Sequence, residues 1–253
     1  LMANMSARRV PATDWAAQDP DPVTRAEAEA LVASAQDPDG AVVAAVAAEL
    51  ESRFSSRLAF GTAGLRGELG AGSNRMNRVI VGQTSAGFAA FLLARAARGE
   101  TTSTPSIVIG YDARVNSDVF ARDTAEIMAG AGVRAILLPG PLPTPVTAFA
   151  VRLLGASAGV MVTASHNPPR YNGYKLRSPH GGPTAPAQIA EVEALMPDYA
   201  VEIKGNLDDW KIDVNNKLAD YEEDIRAKLS GSKEDLKETV ENLLSNSSYK
   251  AEE

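Results

Sequence analysis

The chain has 253 residues, 45% of them hydrophobic and 23% charged, with a formal net charge of −7 and no cysteine. That profile is of a soluble globular chain holding one large domain or one and a half ordinary ones. It excludes disulfides and thiolate metal sites, leaves only His166 and His180 for an imidazole site, and argues against nucleic acid as a partner. No apolar run approaches membrane-spanning length by inspection, and Leu1–Arg9 has no signal-like apolar region, so a cytoplasmic location without a membrane partner is expected.

In chain order, Thr24 to Ala35 and Ala41 to Leu58 read as helices, the second placing Val42, Val46, Leu50 and Phe54 on one face at four-residue spacing. A glycine-rich segment follows from Phe60 to Asn77. Arg78 to Arg98 is predicted helical, with Phe88, Phe91 and Leu92 on its apolar side. Ile107–Ile109 is a strand ending at Gly110-Tyr111-Asp112, and Ser117 to Ala131 a helix. Ala135–Leu138 is a strand stopped by Pro139. Thr144 to Leu154 is a helix, with Thr144 expected as N-cap and Pro145 at the first helical position. Gly159 to Thr163 is the next strand. Strands alternating with helices predict an α/β layer around a mainly parallel sheet, whose strand ends and helix starts collect at one ligand-binding edge.

One strand end is chemically distinctive. Val160-Met161-Val162 runs into Thr163-Ala164-Ser165-His166-Asn167-Pro168-Pro169, and Tyr171-Asn172-Gly173-Tyr174-Lys175 follows. The two prolines close the helical option, and Asn172-Gly173 is expected to turn the chain back tightly to Lys175. A hydroxyl is thereby held on a stiff loop, with an imidazole beside it and an ammonium returned towards it, which can make a nucleophile with its own acid/base help. Gly61-Thr62-Ala63-Gly64-Leu65-Arg66-Gly67 adds close backbone approach and a forked cationic donor suited to phosphate.

These two runs resemble motifs of the α-D-phosphohexomutases, the phosphoglucomutase/phosphomannomutase family. With Asn74-Arg75-Met76-Asn77 they look most like the branch of phosphoglucomutase 2, phosphopentomutase and bacterial phosphomannomutase-like enzymes. The resemblance covers about residues 14 to 196. It implies a mixed, mainly parallel sheet covered by helices, like the first domain of that family. It also implies interconversion of sugar 1-phosphate and 6-phosphate (glucose or mannose) through a phosphoserine and a bisphosphate intermediate. Carried over residue by residue, Ser165 falls on the phosphoserine, which would also bind the metal through its phosphate. Lys175 falls on a proton-transfer lysine, His166 on a histidine lining the phosphate site, and Arg66 on an arginine beside the phosphoserine. Thr62 and Asn167 are expected substrate contacts. Mg2+ is the implied cofactor, glucose 1,6-bisphosphate the implied activator, and a sugar phosphate the implied partner.

Gly110-Tyr111-Asp112-Ala113-Arg114-Val115-Asn116-Ser117 resembles another family segment, where Asp112 and Arg114 read as a structural pair fastening the loop. Trp15 and Asp19-Pro20-Asp21-Pro22 resemble the N-terminal entry of the same branch and are expected to pack on the domain surface. His180, in Pro179-His180-Gly181, reads as solvated. The family's Asp-Gly-Asp-x-Asp-Arg metal loop, its sugar-gripping loop and its distal-phosphate loop do not occur in this sequence, so the chain alone should be a weak or inactive mutase. The alternative is a non-catalytic relative that binds a partner through its tail.

That tail differs in style. Residues 1 to 200 hold one lysine, 16 arginines and 18 acidic residues; residues 201 to 253 hold seven lysines, one arginine and 14 acidic residues. A boundary near 200 is therefore expected, separating residues 1–200 from an acidic tail, 201–253. In the tail Leu207, Trp210, Val214, Leu218, Tyr221, Ile225 and Leu229, then Leu236, Val240 and Leu243 after Gly231, predict a C-terminal helical hairpin. Its apolar stripe is either packed on its own domain, as such a stripe most often is, or used for partner binding or self-association.

Overall fold

A computed structural model describes residues 11–61, 64–102 and 104–197. Its elements are α1 (Ala12–Gln18), α2 (Pro22–Ser34), α3 (Gly40–Phe54), β1 (Leu65–Glu68), α4 (Arg78–Ala97), β2 (Ser106–Tyr111), α5 (Ser117–Gly130), β3 (Arg134–Leu137), α6 (Thr144–Leu153), β4 (Ala158–Val162), β5 (Tyr171–Arg177) and α7 (Pro186–Leu195). The five strands form one mixed sheet in the order β1-β5-β4-β2-β3. β2 pairs in parallel with β3 and β4, and β5 is antiparallel to both β4 and β1, so β5 alone runs against the others. The α/β expectation holds for the described residues, with the predicted tail hairpin and the boundary at 200 lying outside them.

Strand alternation separates two apolar layers. Ile107, Ile109, Val160, Val162, Tyr174, Leu176 and Leu65 join α4, α5 and Val192 of α7 in the main core. Val108 and Ile136 turn to the other face, where Ala150 and Val151 of α6 cover them. α6 lies over the β3–β2–β4 part of that face: Ile136 packs with Ala150 and Val151, Thr147 lies against Met161, and Val151 lies over Gly159. The same alternation places Gly173, Lys175 and Arg177 of β5, and Arg66 of β1, on the α6 side of the sheet but beyond the strands that α6 covers.

Several details differ from the sequence reading. Asn172-Gly173 is no turn: both residues lie inside β5, paired with Gly67 and Arg66. The chain reverses earlier, at Ser165–Arg170, because the prolines rigidify that segment. Pro143, with φ −62° and ψ 146°, is the N-cap of α6, and Thr144 is already the first helical residue, with no side-chain cap at this helix start. β1 arises inside the glycine-rich segment, where alternate burial of Leu65 and Gly67 supplies a strand pattern too short to stand out.

Trp15 is buried. It meets Phe54 edge-on at 5.7 Å inside a small second cluster with Ala16, Ala28, Ala71 and Val79. Asp19 is also buried, where desolvation pushes its carboxyl above the ordinary range against the opposing hydrogen bond from Thr24. The stripe on α3 buries only its end: Phe54 is in the cluster while Val42 is exposed. α4 corrects the reading of apolar runs, being long and apolar enough to cross a membrane by length and composition. In this structure, however, 67% of that window is buried inside the protein, which accounts for its apolarity.

Candidate active site

β4 is buried along its whole length, and its C-terminal end opens into the loop Thr163–Arg170. Ser165 is exposed at the crest with φ 59°, one of two described non-glycine residues in left-handed backbone. For a residue with a Cβ that conformation costs about 1–3 kcal/mol and persists only where its surroundings impose it. Here the Ser165 N–H donates to Thr163 Oγ1 at 2.9 Å, and the Asn167 N–H closes a turn on the Ala164 carbonyl at 3.1 Å.

The other left-handed non-glycine residue, Asn116, lies in the neighbouring loop at the end of β2. From that loop Arg114 reaches across. Its Nη2 donates to the carbonyls of Ser165 (2.8 Å) and Asn167 (2.7 Å), and its Nη1 to those of Pro168 and Tyr171, both at 3.0 Å. Asp112 lies 3.3 Å from Arg114 Nε, accepts from the Arg114 N–H and accepts from Ser117 Oγ. Buried Asn172 completes the junction by donating to the Val115 carbonyl and Ser117 Oγ. The Asp112–Arg114 pair is structural, as its sequence suggests, and what it fastens is the serine loop.

Three cations line the adjoining face. Arg66 Nη1 donates to Asn167 Oδ1 at 3.3 Å, bringing the guanidinium to a residue two positions from Ser165. Its path is kept open by Gly173, where an added Cβ would lie 2.7 Å from both the Leu65 and Thr163 carbonyls and 3.2 Å from Arg66 Cγ. Lys175 follows on the same strand face, half-buried, with Gly64 pressed over it; Gly64 has φ +103° and leaves no room for a side chain against the Tyr174 carbonyl. Burial lowers the Lys175 ammonium below its ordinary range, Arg66 and then Arg177 lower it further, and Asp112 opposes them. Arg177 is next along the row, and desolvation lowers it as well. The Nε groups of Arg66 and Arg177 are buried and have no hydrogen-bond partner among the described residues.

The structure therefore brings Ser165, Asn167 and Arg66 to one edge, with Lys175 on the same sheet face as Arg66. His166 stands exposed on the loop and His180 is exposed elsewhere. Thr62 lies outside the described residues. Arg177 and Asn172 escape the sequence reading because Asn172-Gly173 reads locally as a turn; read as a strand, alternation alone aligns residues 173, 175 and 177.

Among the described residues no group of three His, Asp or Glu side chains could hold a metal ion. The carboxylates of this segment thus do not make a Mg2+ site by themselves.

A family model described as phosphoglucomutase/phosphomannomutase, alpha/beta/alpha domain I, matches residues 57–201, more than half of the chain. A Haemophilus influenzae protein named "Probable phosphomannomutase" is 63% identical over 101 residues, covering 40% of this chain and 20% of the relative. A Schizosaccharomyces pombe protein named "Probable phosphoribomutase" is 41% identical over 163 residues, covering 64% and 26%. The Staphylococcus haemolyticus phosphoglucomutase is 42% identical over 131 residues, covering 52% and 23%. Among solved structures, a Thermus thermophilus protein described provisionally as a phosphomannomutase superposes with a TM-score of 0.51 at 37% identity, covering 57% of this chain and 31% of its own. The chain thus spans between 20% and 26% of the length of these curated relatives.

Proposed function

The chain belongs to the phosphoglucomutase/phosphomannomutase family, whose domain I it carries, and we propose that it supplies the phosphoryl-accepting serine of a phosphosugar mutase. In this reading Ser165 Oγ forms a bond to a phosphorus of a sugar bisphosphate while the bond from that phosphorus to the sugar oxygen breaks. The serine proton passes to Lys175, and the departing sugar oxygen takes up a proton in turn. Phosphorylated Ser165 then gives its phosphoryl to the free 6-hydroxyl of a sugar 1-phosphate, forming the bisphosphate. Once that bisphosphate has turned over in the site, Ser165 takes back the 1-phosphoryl and the 6-phosphate leaves, with glucose or mannose as the sugar.

The observation that supports this best is a pairing of rigidity and charge. An exposed serine is fixed in left-handed backbone, and Arg66 and Lys175 lie on the adjoining face with no carboxylate among the described residues bonded to either. Phosphoryl transfer asks the protein chiefly for position and charge neutralisation, and this edge has the means for both. The lowered Lys175 leaves more of its neutral form near neutral pH, as a proton acceptor requires. Asn167, His166 and Thr62 complete the proposed phosphate and substrate contacts.

Mg2+ would be held by the phosphate on Ser165 together with ligands that the described residues do not supply; when bound it neutralises phosphate charge. A cytoplasmic location and a role for residues 201–253 as a separate helical unit, able to self-associate, belong to the same proposal.

Incubating the full chain with glucose 1,6-bisphosphate in a Mg2+-containing buffer, then measuring intact mass and mapping peptides, tests the assignment. One phosphoryl group on Ser165, absent from Ser165→Ala, is expected. Label at another residue, or equal label on the alanine variant, overturns it in favour of a non-catalytic module.

A further inference from the structure

The sequence marks Arg114 only as half of a loop-fastening pair, yet its hydrogen bonds go well beyond that pair. A guanidinium has five N–H donors. The Nη1 and Nη2 hydrogens are all taken by four main-chain carbonyls of one short segment: Ser165, Asn167, Pro168 and Tyr171. Nε faces Asp112 Oδ2. All four terminal donors are committed to the main chain and Nε to an ion pair, so Arg114 is unsuited to binding phosphate directly.

We propose that Arg114 is the positioning residue of the serine loop, holding Ser165 in left-handed backbone so that its hydroxyl faces the Arg66–Lys175 edge. Three observations converge on this. The Ser165 carbonyl, fixed by Nη2, belongs to the residue whose φ of 59° must be imposed from outside. The carbonyls of Pro168 and Tyr171 bracket the reversal into β5, so one planar fork sets both the crest and the return of the loop. The fork is itself aimed: Asp112 takes Nε and the Arg114 N–H, Ser117 Oγ holds Asp112, and Asn172 ties Ser117 back to β5. A lysine has three donors on a single nitrogen and cannot span four carbonyls in one plane.

The chemical consequence rests on Ser165 being the phosphoryl acceptor, and the test separates the two claims. Arg114→Lys is compared with the unaltered full chain by the rate of Ser165 labelling from glucose 1,6-bisphosphate, by thermal melting, and by amide exchange of peptides spanning 163–171 and, as reference, β2. A displaced nucleophile slows transfer by roughly tenfold to a hundredfold. Arg114→Lys is expected to show that loss together with faster exchange confined to 163–171, while β2 exchange and the cooperative melt are retained. Labelling and loop exchange at the unaltered rates would overturn the proposal, as would loss spread evenly over both peptides. If the unaltered chain takes no label at Ser165, the function proposed above fails, and loop exchange alone decides the positioning claim. If Arg114→Lys does not fold, Asp112→Ala, which keeps the fork and removes its brace, is read by the same exchange: loop-confined acceleration supports the proposal and none overturns it.

Discussion

Two sets of arginines are treated in opposite ways by this fold. Arg114 gives its four terminal N–H groups to main-chain carbonyls and forms an ion pair through Nε with Asp112 at 3.3 Å, and Arg78 pairs in a two-pronged bond with Asp123 at 2.7 and 2.8 Å. Arg66 has one long bond of 3.3 Å and a buried orphan Nε, and Arg177 has an orphan Nε too. Leaving half-buried donors unmatched costs stability, whereas satisfying them would be simple for any nearby carboxylate. Arg114 holds the serine loop in place, and Arg78 ties α4 to α5. In the function proposed above, the unmatched donors of Arg66, which reaches the serine loop through Asn167, are complemented by an anionic phosphate.

The largest expected effect tests whether the unsatisfied side is merely loose. Gly173→Ala would set a Cβ 2.7 Å from two main-chain carbonyls, neither of which can rotate away. A loss of about 3 kcal/mol or more is expected from such overpacking. Chemical denaturation checks it; a near-neutral alanine would mean that β1 and β5 part easily and that Arg66 is not held where it lies.

Removing a satisfied arginine comes next. Arg78→Ala leaves the largely buried Asp123 carboxylate without its partner, which should cost about 3 kcal/mol. Ser165 labelling below the new melting temperature should be unchanged. Arg66→Lys is the counterpart: labelling should slow by about tenfold, equivalent to about 1.4 kcal/mol, because a point charge replaces a fork. Its stability should stay within about 0.5 kcal/mol of the parent. If the two variants exchanged these signatures, the distinction between satisfied and unsatisfied arginines would be lost.

Much of this is legible in the sequence for physical reasons. β2, β4, α4 and α5 announce themselves by apolar runs and periodicity, and the edge where loops collect follows from strand–helix alternation. The Thr163–Lys175 run is readable because chemistry and backbone stiffness coincide in it. What escapes is either short or dependent on pairing. β1 has four residues and no apolar run. β5 contains Asn-Gly, a pair that favours turns locally but is overridden here by ladders on both sides and by the bonds of Asn172 to Val115 and Ser117. The partner of Trp15 escapes as well, since Phe54 lies 39 positions later and no local pattern connects the two. The reach of Arg114 to four carbonyls more than fifty residues away belongs to the same class, since spacing cannot show which carbonyls a fork will meet.

The smallest expected effect concerns the far end of the cation row. Lys175 is lowered first by burial, then by Arg66 and then by Arg177, against Asp112. If neutral Lys175 receives the serine proton, the labelling rate should rise with pH as that lysine deprotonates, below the ordinary lysine value of 10.5. Arg177→Gln removes a like charge without touching the serine loop, so the lysine should hold its proton more firmly and the rising limb should move to higher pH. Stability gives an independent check with a defined sign. The folded state binds this proton more weakly than the unfolded chain does, so unfolding free energy should rise with pH between the lowered value and 10.5. Arg177→Gln should narrow that window from its lower side. Rate–pH curves and denaturation at several pH values on the same two proteins suffice. A limb that stays in place while the stability window narrows would show that Arg177 acts on Lys175 but that Lys175 does not carry the proton.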